Sequence, residues 1–334
     1  MTLTAELGRK LYTDMWRIRL FEEEALRQTS LGSVKGALHM YCGEEAVAVG
    51  VCAALRADDV ITSTHRGHGH ILAKGGAPDR MYAELLGRDS GYNRGRGGSM
   101  HIADFALGIF GANGIVGAGA PMACGAAYTF KLRGEDRVAV PFFGDGAMNQ
   151  GVLLESFNLA VVVDLPVVFA CENNGYAISS PIDEMLGGEL VERAAGFGLP
   201  VRSVDGMDVR AVHAATSAAV ERARAGGGPT FLEFRTARYS VHNIATGARM
   251  RDSRSEEMLA QARGRDPLER LAGELSGNGG WGAGGREAVD DEIERELEGA
   301  IGFARNSPRP RPETALDYMY ADTYPDFPAP GWEQ

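Results

Sequence analysis

Two short runs hold the residues best suited to chemistry. Gly144-Asp145-Gly146 ends an apolar, partly β-branched run over 138–143, and Glu172-Asn173-Asn174 ends the next such run. Asn174 follows Asp145 by 29 positions, room for one turn, one crossover helix and one strand. That unit returns the chain to the same sheet edge and sets the carboxylate beside the amide oxygen. In a parallel sheet, ligands bind beyond the carboxyl ends of the strands. A carboxylate, an amide oxygen and a nearby backbone carbonyl, for which Tyr176 is well placed, are the hard oxygen ligands that Mg2+ prefers, with water and phosphate oxygens completing the octahedron. Gly144 and Gly146 let the backbone approach a phosphate. A helix starting near Met148 would aim its positive end at the same place. Alone, the Gly-Asp-Gly run reads as a turn with a capping aspartate; paired with the asparagines it predicts a divalent ion that bridges the chain to a diphosphate.

Other phosphate and hydrolytic motifs are absent: there is no GxxxxGK[ST], no GxGxxG after a strand, no GxSxG and no HExxH. His213 lies in an ordinary helix and reads as a surface residue, and His68 and His70 in `HRGHGH` read as structural. The acidic run `FEEEALR` reads as a solvated helix face.

The elements that must position the two tips read as follows. Residues 1–30 and 43–55 predict helices and 58–64 a short strand; 65–119, rich in Gly, His and Arg, reads mainly as loops. A helix over 121–134, a strand over 137–146, a helix over 149–163 and a strand over 165–174 come next. The pattern continues with a helix over 188–198, a strand over 200–206, a helix over 208–227 and a strand over 229–240. Strands alternating with helices predict an α/β fold, a parallel sheet with helices on both faces, plus N- and C-terminal helical extensions. The expected organisation is one domain over 1–273, a flexible Gly-rich joint over 274–287, and a last helix with a Pro-rich, aromatic tail over 288–334.

The 334 residues suffice for one large α/β domain with extensions, and a hydrophobic content of 44% is ordinary for a globular protein. The 45 glycines fit many tight turns or close approaches to a ligand. A formal charge of −11 argues against a nucleic-acid binder. No stretch reaches transmembrane length, and the N-terminus lacks the apolar core of a signal peptide. Four cysteines without CxxC spacing read as reduced, buried thiols of a cytoplasmic protein.

Beyond the two tips, `ALHMYCGEEA`, `THRGHGHILAKG`, `GRGGSMHIAD`, `GANGIVGAGAPMACG`, `ESFNLA`, `VDGMD` and `DPLERL` follow in order. With `GDGAMNQG` and `CENNGYA`, this series resembles the α subunit of the thiamine-diphosphate-dependent E1 component of 2-oxoacid dehydrogenase complexes, over roughly residues 10–330. Within that family `THRGHGH` and `GSMHIAD` are most similar to the acetoin dehydrogenase branch; most pyruvate enzymes carry Tyr-Arg where this chain has His65-Arg66. The resemblance implies thiamine diphosphate and Mg2+ as cofactors, with Asp145, Asn174 and the Tyr176 carbonyl as metal ligands. It implies backbone contacts of Gly146 and Ala147 to the diphosphate, Arg66 with His65 at its terminal phosphate, and Gly114 and Val116 against the cofactor's ring region. His39, His101 and His242 correspond to catalytic histidines at the entrance to the reactive ring, His242 also touching the cofactor, where they would relay protons near neutral pH. It further implies a β subunit carrying the pyrimidine-binding domain in an α2β2 heterotetramer, a small carbonyl substrate and a lipoyl acyltransferase as acceptor.

One segment departs from the family pattern. After the strand `PTFLEFRTARYS` comes `VHNIATGARMRD`: Val241 replaces a glycine, Thr246 stands near the place of an acid, and Met250-Arg251 replaces Tyr-Arg. Asn243 takes the place of a serine that is phosphorylated in some relatives. Three alternatives therefore stay open: an E1 dehydrogenase with a reshaped acceptor loop, a two-carbon (acyloin or ketol) transferase, and a catalytically silent structural subunit.

Overall fold

Apolar runs without polar alternation demand cover on both faces, and the architecture follows from that requirement. The computed structural model describes residues 4–245, 252–277 and 279–317. The chain begins with α1 (Ala5–Ser30), β1 (Ala37–Leu38), α2 (Glu45–Cys52), β2 (Val60–Ser63), α3 (His68–Ala73), α4 (Pro78–Leu85) and β3 (Ile109–Ala112). It continues with α5 (Gly119–Arg133), β4 (Ala139–Gly144), α6 (Gly151–Val162), β5 (Val168–Asn173), β6 (Tyr176–Ala177), β7 (Ser180–Pro181), α7 (Ile182–Met185) and α8 (Leu190–Ala195). The last elements are β8 (Val201–Asp205), α9 (Val209–Arg224), β9 (Thr230–Arg235), β10 (Ile244–Ala245), α10 (Glu256–Arg263), α11 (Pro267–Gly277) and α12 (Gly285–Asn306).

Six strands pair in the order β3-β2-β4-β5-β9-β8, each neighbouring pair parallel. Successive side chains alternate between two apolar layers. Val140, Phe142, Val168 and Ala170 join the layer under α1, α2, α9 and α11, while Ala139, Phe143, Phe169 and Cys171 join the layer under α5, α6 and α8. Each fully buried Phe removes a ring from water, which contributes roughly 1.5–3 kcal/mol. The expected α/β fold with helices on both faces is the fold observed.

In α1 the buried residues Leu11, Tyr12, Met15, Ile18, Phe21 and Ala25 form one helical stripe, and Thr4 Oγ1 caps the start by accepting from the Leu7 N–H. The C-terminal α12 packs against α1 and α4, with Arg17 Nε on Glu296 at 2.9 Å and the Tyr12 hydroxyl on Asp290 at 3.0 Å.

Two stretches hold more regular structure than their composition suggests. The stretch 65–119, expected mainly as loops, also contains α3, α4 and β3. Its histidines hid a helix, because His68 and His70 bury their rings on polar partners instead of displaying an apolar stripe. Within the joint expected over 274–287, α11 runs to Gly277, α12 starts at Gly285, and Trp281 lies edge-on to Tyr12 with ring centres 4.7 Å apart. Thr246, Met250 and Arg251 of the atypical segment, and the aromatic tail over 318–334, lie outside the described residues.

Candidate active site

Gly144 of β4 pairs with Glu172 of β5 in parallel register. The residues that follow, Asp145 on one strand and Asn173 and Asn174 on the other, therefore emerge side by side at one sheet edge. Asp145 is only 2% exposed. Its Oδ1 accepts the Gly146 N–H at 2.8 Å, while Oδ2 is buried with no partner. Burial pushes its carboxyl up to about 6, against the opposing pull of the Gly146, Gly175 and Tyr176 N–H groups. A Cβ on Gly146 would lie 2.9 Å from the Ala177 side chain, so a larger residue there would disturb the turn. The helix does not begin near Met148: a 3₁₀ turn over Asp145–Asn149 intervenes and α6 starts at Gly151.

The two asparagines behave differently. Asn173 is tied into the sheet, its Nδ2 on Glu233 at 2.7 Å and its Oδ1 on the Gly175 N–H at 3.0 Å. Asn174 instead donates from Nδ2 to Glu44 Oε1 at 3.1 Å and accepts the Tyr176 N–H on Oδ1 at 3.2 Å. Tyr176 itself opens the short β6–β7 hairpin, its hydroxyl 3.9 Å from the Met258 sulfur.

A cavity of about 450 Å³ is lined by Asp145, Gly146, Ala147, Asn174 and Tyr176 together with Gly114, Val116, His39, His65, Arg66 and His242. The chain brings these expected site residues to one place from widely separated segments. Arg66 is 5% exposed. It donates through Nη1 to the Met40 carbonyl, donates through Nη2 to the His242 carbonyl at 3.1 Å, and holds Nε 3.5 Å from Glu44 Oε2. The rings of His39, His65 and His242 form a triangle with centres 4.7, 5.0 and 5.1 Å apart. Burial first, and then neighbouring positive groups including Arg66, lowers their pKa values to about 2, 3 and 4 respectively. All three are thereby held neutral near pH 7 and offer hydrogen bonds there, where His39 and His242, together with His101, were expected to relay protons.

His101 is not in the cavity. The 3₁₀ turn over Gly98–Met100 places Met100 on the cavity wall, and His101 is exposed, Nδ1 at 3.2 Å from the Gly97 carbonyl, in a neighbouring depression with Tyr92 and Asn93. His68 bridges Glu22 (3.0 Å) and Ser99 (2.9 Å). His70 bridges Ser63 (2.7 Å) and Glu172 (3.0 Å). Both are fully buried and structural, as expected.

Three charged cavity residues are given no role by the motifs alone. Glu44, 1% exposed, has its carboxyl pushed up to about 7 by burial and by the nearby Glu172, and its Oε2 makes no hydrogen bond. Glu172 accepts from the Tyr41 hydroxyl and pairs with His70. Arg238 donates to the Ile178 carbonyl at 3.0 Å and lies 3.3 Å from His242 Nδ1; burial and then Arg66 lower its pKa to about 10. A signal for Glu44 was present: α2 is buried along its whole length, so an acid at its start has no solvated face to occupy.

The dehydrogenase E1 component family matches residues 13–313. The chain belongs to that family. The α subunit of acetoin:2,6-dichlorophenolindophenol oxidoreductase from Bacillus subtilis is 42% identical over 323 residues, 96% of this chain and 95% of that one. The protein of the same name from Cupriavidus necator is 44% identical over 312 residues, 93% of each chain. The pyruvate dehydrogenase E1 component α subunit of Zymomonas mobilis is 42% identical over 322 residues, 94% of this chain and 89% of that one.

Membership makes the chain part of an oxidoreductase that uses thiamine diphosphate. The residues present fit that group. A buried carboxylate oxygen without a partner is costly unless a ligand completes it, and Asp145 Oδ2 is such an atom on the cavity wall. Arg66, held from three sides on the same cavity wall, is a buried positive charge of the kind a diphosphate requires.

Proposed function

We propose that this chain is the α subunit of an E1 dehydrogenase acting on acetoin, pyruvate or another small 2-oxo compound. In this reading it pairs with a β subunit in an α2β2 heterotetramer and passes the acyl fragment to a lipoyl acyltransferase. The observation that carries it is the unpartnered Asp145 oxygen at a strand tip beside Asn174, inside the cavity. Asp145, Asn174 and the Tyr176 carbonyl would hold Mg2+, the backbone of Gly146 and Ala147 would meet the diphosphate, and Arg66 with His65 would bind its terminal phosphate. Gly114 and Val116 would lie against the ring region. When bound, thiamine diphosphate supplies the carbon nucleophile for cleavage next to a carbonyl. His39 and His242, neutral and close together, can each donate one hydrogen bond and accept another, so they can orient a substrate oxygen without placing a charge beside it. His101, expected beside them, lies outside the cavity.

Exposed apolar residues support a covering partner. Val116 on the cavity wall is 46% exposed, and Leu132, Leu159 and Val162 on α5 and α6 are 69, 48 and 72% exposed. Among the described residues no helix is long and apolar enough to cross a membrane. Four buried thiols without a disulfide support a cytoplasmic setting.

The test is calorimetric titration of thiamine diphosphate with and without Mg2+. Asp145→Ala should abolish the Mg2+-dependent binding; unchanged affinity would overturn the reading and favour a silent subunit. The sequence `VHNIATGARMRD` favours one competitor, two-carbon transfer to a small carbonyl acceptor. Acylation of a lipoyl domain supports the dehydrogenase, and a new C–C bond in the product supports the transferase.

A further inference from the structure

We infer that Glu44 is a positioning residue that ties the cation grip to the diphosphate grip: one carboxylate orients the amide of Asn174 and holds the guanidinium of Arg66. The inference rests on the site reading above and adds a residue to it.

The amide of Asn174 has two faces, and only its oxygen can bind a cation. Tyr176 offers it a backbone N–H at 3.2 Å, and Glu44 offers it a carboxylate oxygen at 3.1 Å. Only one orientation satisfies both neighbours: NH2 toward Glu44 and oxygen toward the Tyr176 N–H, with a second lone pair of that oxygen left for a metal. Without the acceptor at Glu44, a flipped amide that presents NH2 to the cation is no longer excluded. The other oxygen of Glu44 lies 3.5 Å from Arg66 Nε, while the Met40 and His242 carbonyls take one N–H from each terminal nitrogen. The fork is thus fixed in plane, and its remaining N–H groups are available to a phosphate.

Glu44 is not an ordinary structural acid. It is 1% exposed, its Oε2 makes no hydrogen bond, and the other acid beside it, Glu172, is already engaged by Tyr41 and His70. Leaving a buried carboxylate half satisfied costs stability, and the return is a negative charge and a fixed geometry at the place where a cation and a diphosphate meet.

The test uses the full chain co-expressed with its β subunit, titrated with Mg2+ at constant thiamine diphosphate and, separately, with inorganic pyrophosphate. Glu44→Ala should raise the Mg2+ requirement about 10–100-fold, the range typical of lost outer partners of metal ligands. Glu44→Gln keeps an acceptor for the Asn174 amide and should recover most of the Mg2+ affinity, yet bind pyrophosphate as weakly as Glu44→Ala, because its NH2 then faces the Nε–H of Arg66 and the guanidinium loses that hold. In an Asn174→Ala background, Glu44→Ala should add no further loss of Mg2+ affinity. An unchanged Mg2+ requirement in Glu44→Ala, with Asp145→Ala still abolishing binding, overturns the role of Glu44 and leaves the site reading standing. Unchanged binding in Asp145→Ala removes the site reading itself. If Glu44→Ala does not fold, Glu44→Gln decides: wild-type pyrophosphate affinity there overturns the inference.

Discussion

Two regions of the molecule bury carboxylates and treat them in opposite ways. Glu84, at the end of α4, is fully buried and fully used: Oε1 accepts the N–H groups of Gly97 and Gly98 at 2.7 and 3.0 Å, and Oε2 those of Asn93 and Gly95 at 2.8 and 2.9 Å. The loop folds around it, with Gly95 and Gly98 at φ of 72 and 59° to bring their amides inward. Asp145 and Glu44 are as deeply buried, yet each keeps one oxygen with no hydrogen bond, that of Glu44 facing Arg66 Nε at 3.5 Å, and burial raises both pKa values. A saturated buried acid is a piece of architecture. An unsaturated one on a cavity wall is waiting for a ligand.

Substitutions can break or sharpen that contrast. The largest effect should fall on binding: Asp145→Ala removes Mg2+-dependent cofactor binding, whereas Glu84→Ala, if it folds, retains it, both read by calorimetry. Next in size, Glu84→Ala strands four backbone N–H groups and should lower unfolding free energy by about 3–5 kcal/mol in urea titrations. The opposite sign is expected at the cavity. Asp145 has a folded pKa near 6, above that of an unfolded Asp, so the stability it gives is present below the unfolded value and lost as pH rises through 6. Cofactor-free Asp145→Asn should therefore be more stable than the wild type by on the order of 2 kcal/mol at pH 7 and about equal to it at pH 4. A wild type more stable than Asp145→Asn at pH 7 would erase the distinction between the two acids. The smallest effect is local: Gly95→Ala meets the Gly87 backbone at 2.6 Å and a positive φ, and should lower the thermal midpoint by a few degrees, about 1–2 kcal/mol.

Much of the fold was legible because its signals are local. The runs at 138–143 and 165–171 are apolar without alternation, which fits only strands covered on both sides, and the 29-residue interval fits one crossover. The part that failed was encoded in pairings. α3 was hidden because its buried residues are histidines whose partners, Glu22, Ser99, Ser63 and Glu172, lie far away in sequence. His101 looked equivalent to His39 and His242, since no local pattern tells which way a 3₁₀ turn will point a ring. The Gly-rich stretch before α12 looked loose because composition does not report the contact between Trp281 and Tyr12.

The sequence by itself determined the sheet's strands, the two strand tips and the candidate oxygen ligands we propose there, because strand length, burial and turn residues act over a few positions. Only the tertiary structure decided that Glu44 and Arg238 share the cavity with them, that the three clustered histidines stay neutral, and that Asn174 rather than Asn173 faces inward. Desolvation and neighbouring charge depend on which distant segments meet, and that is settled when the layers pack.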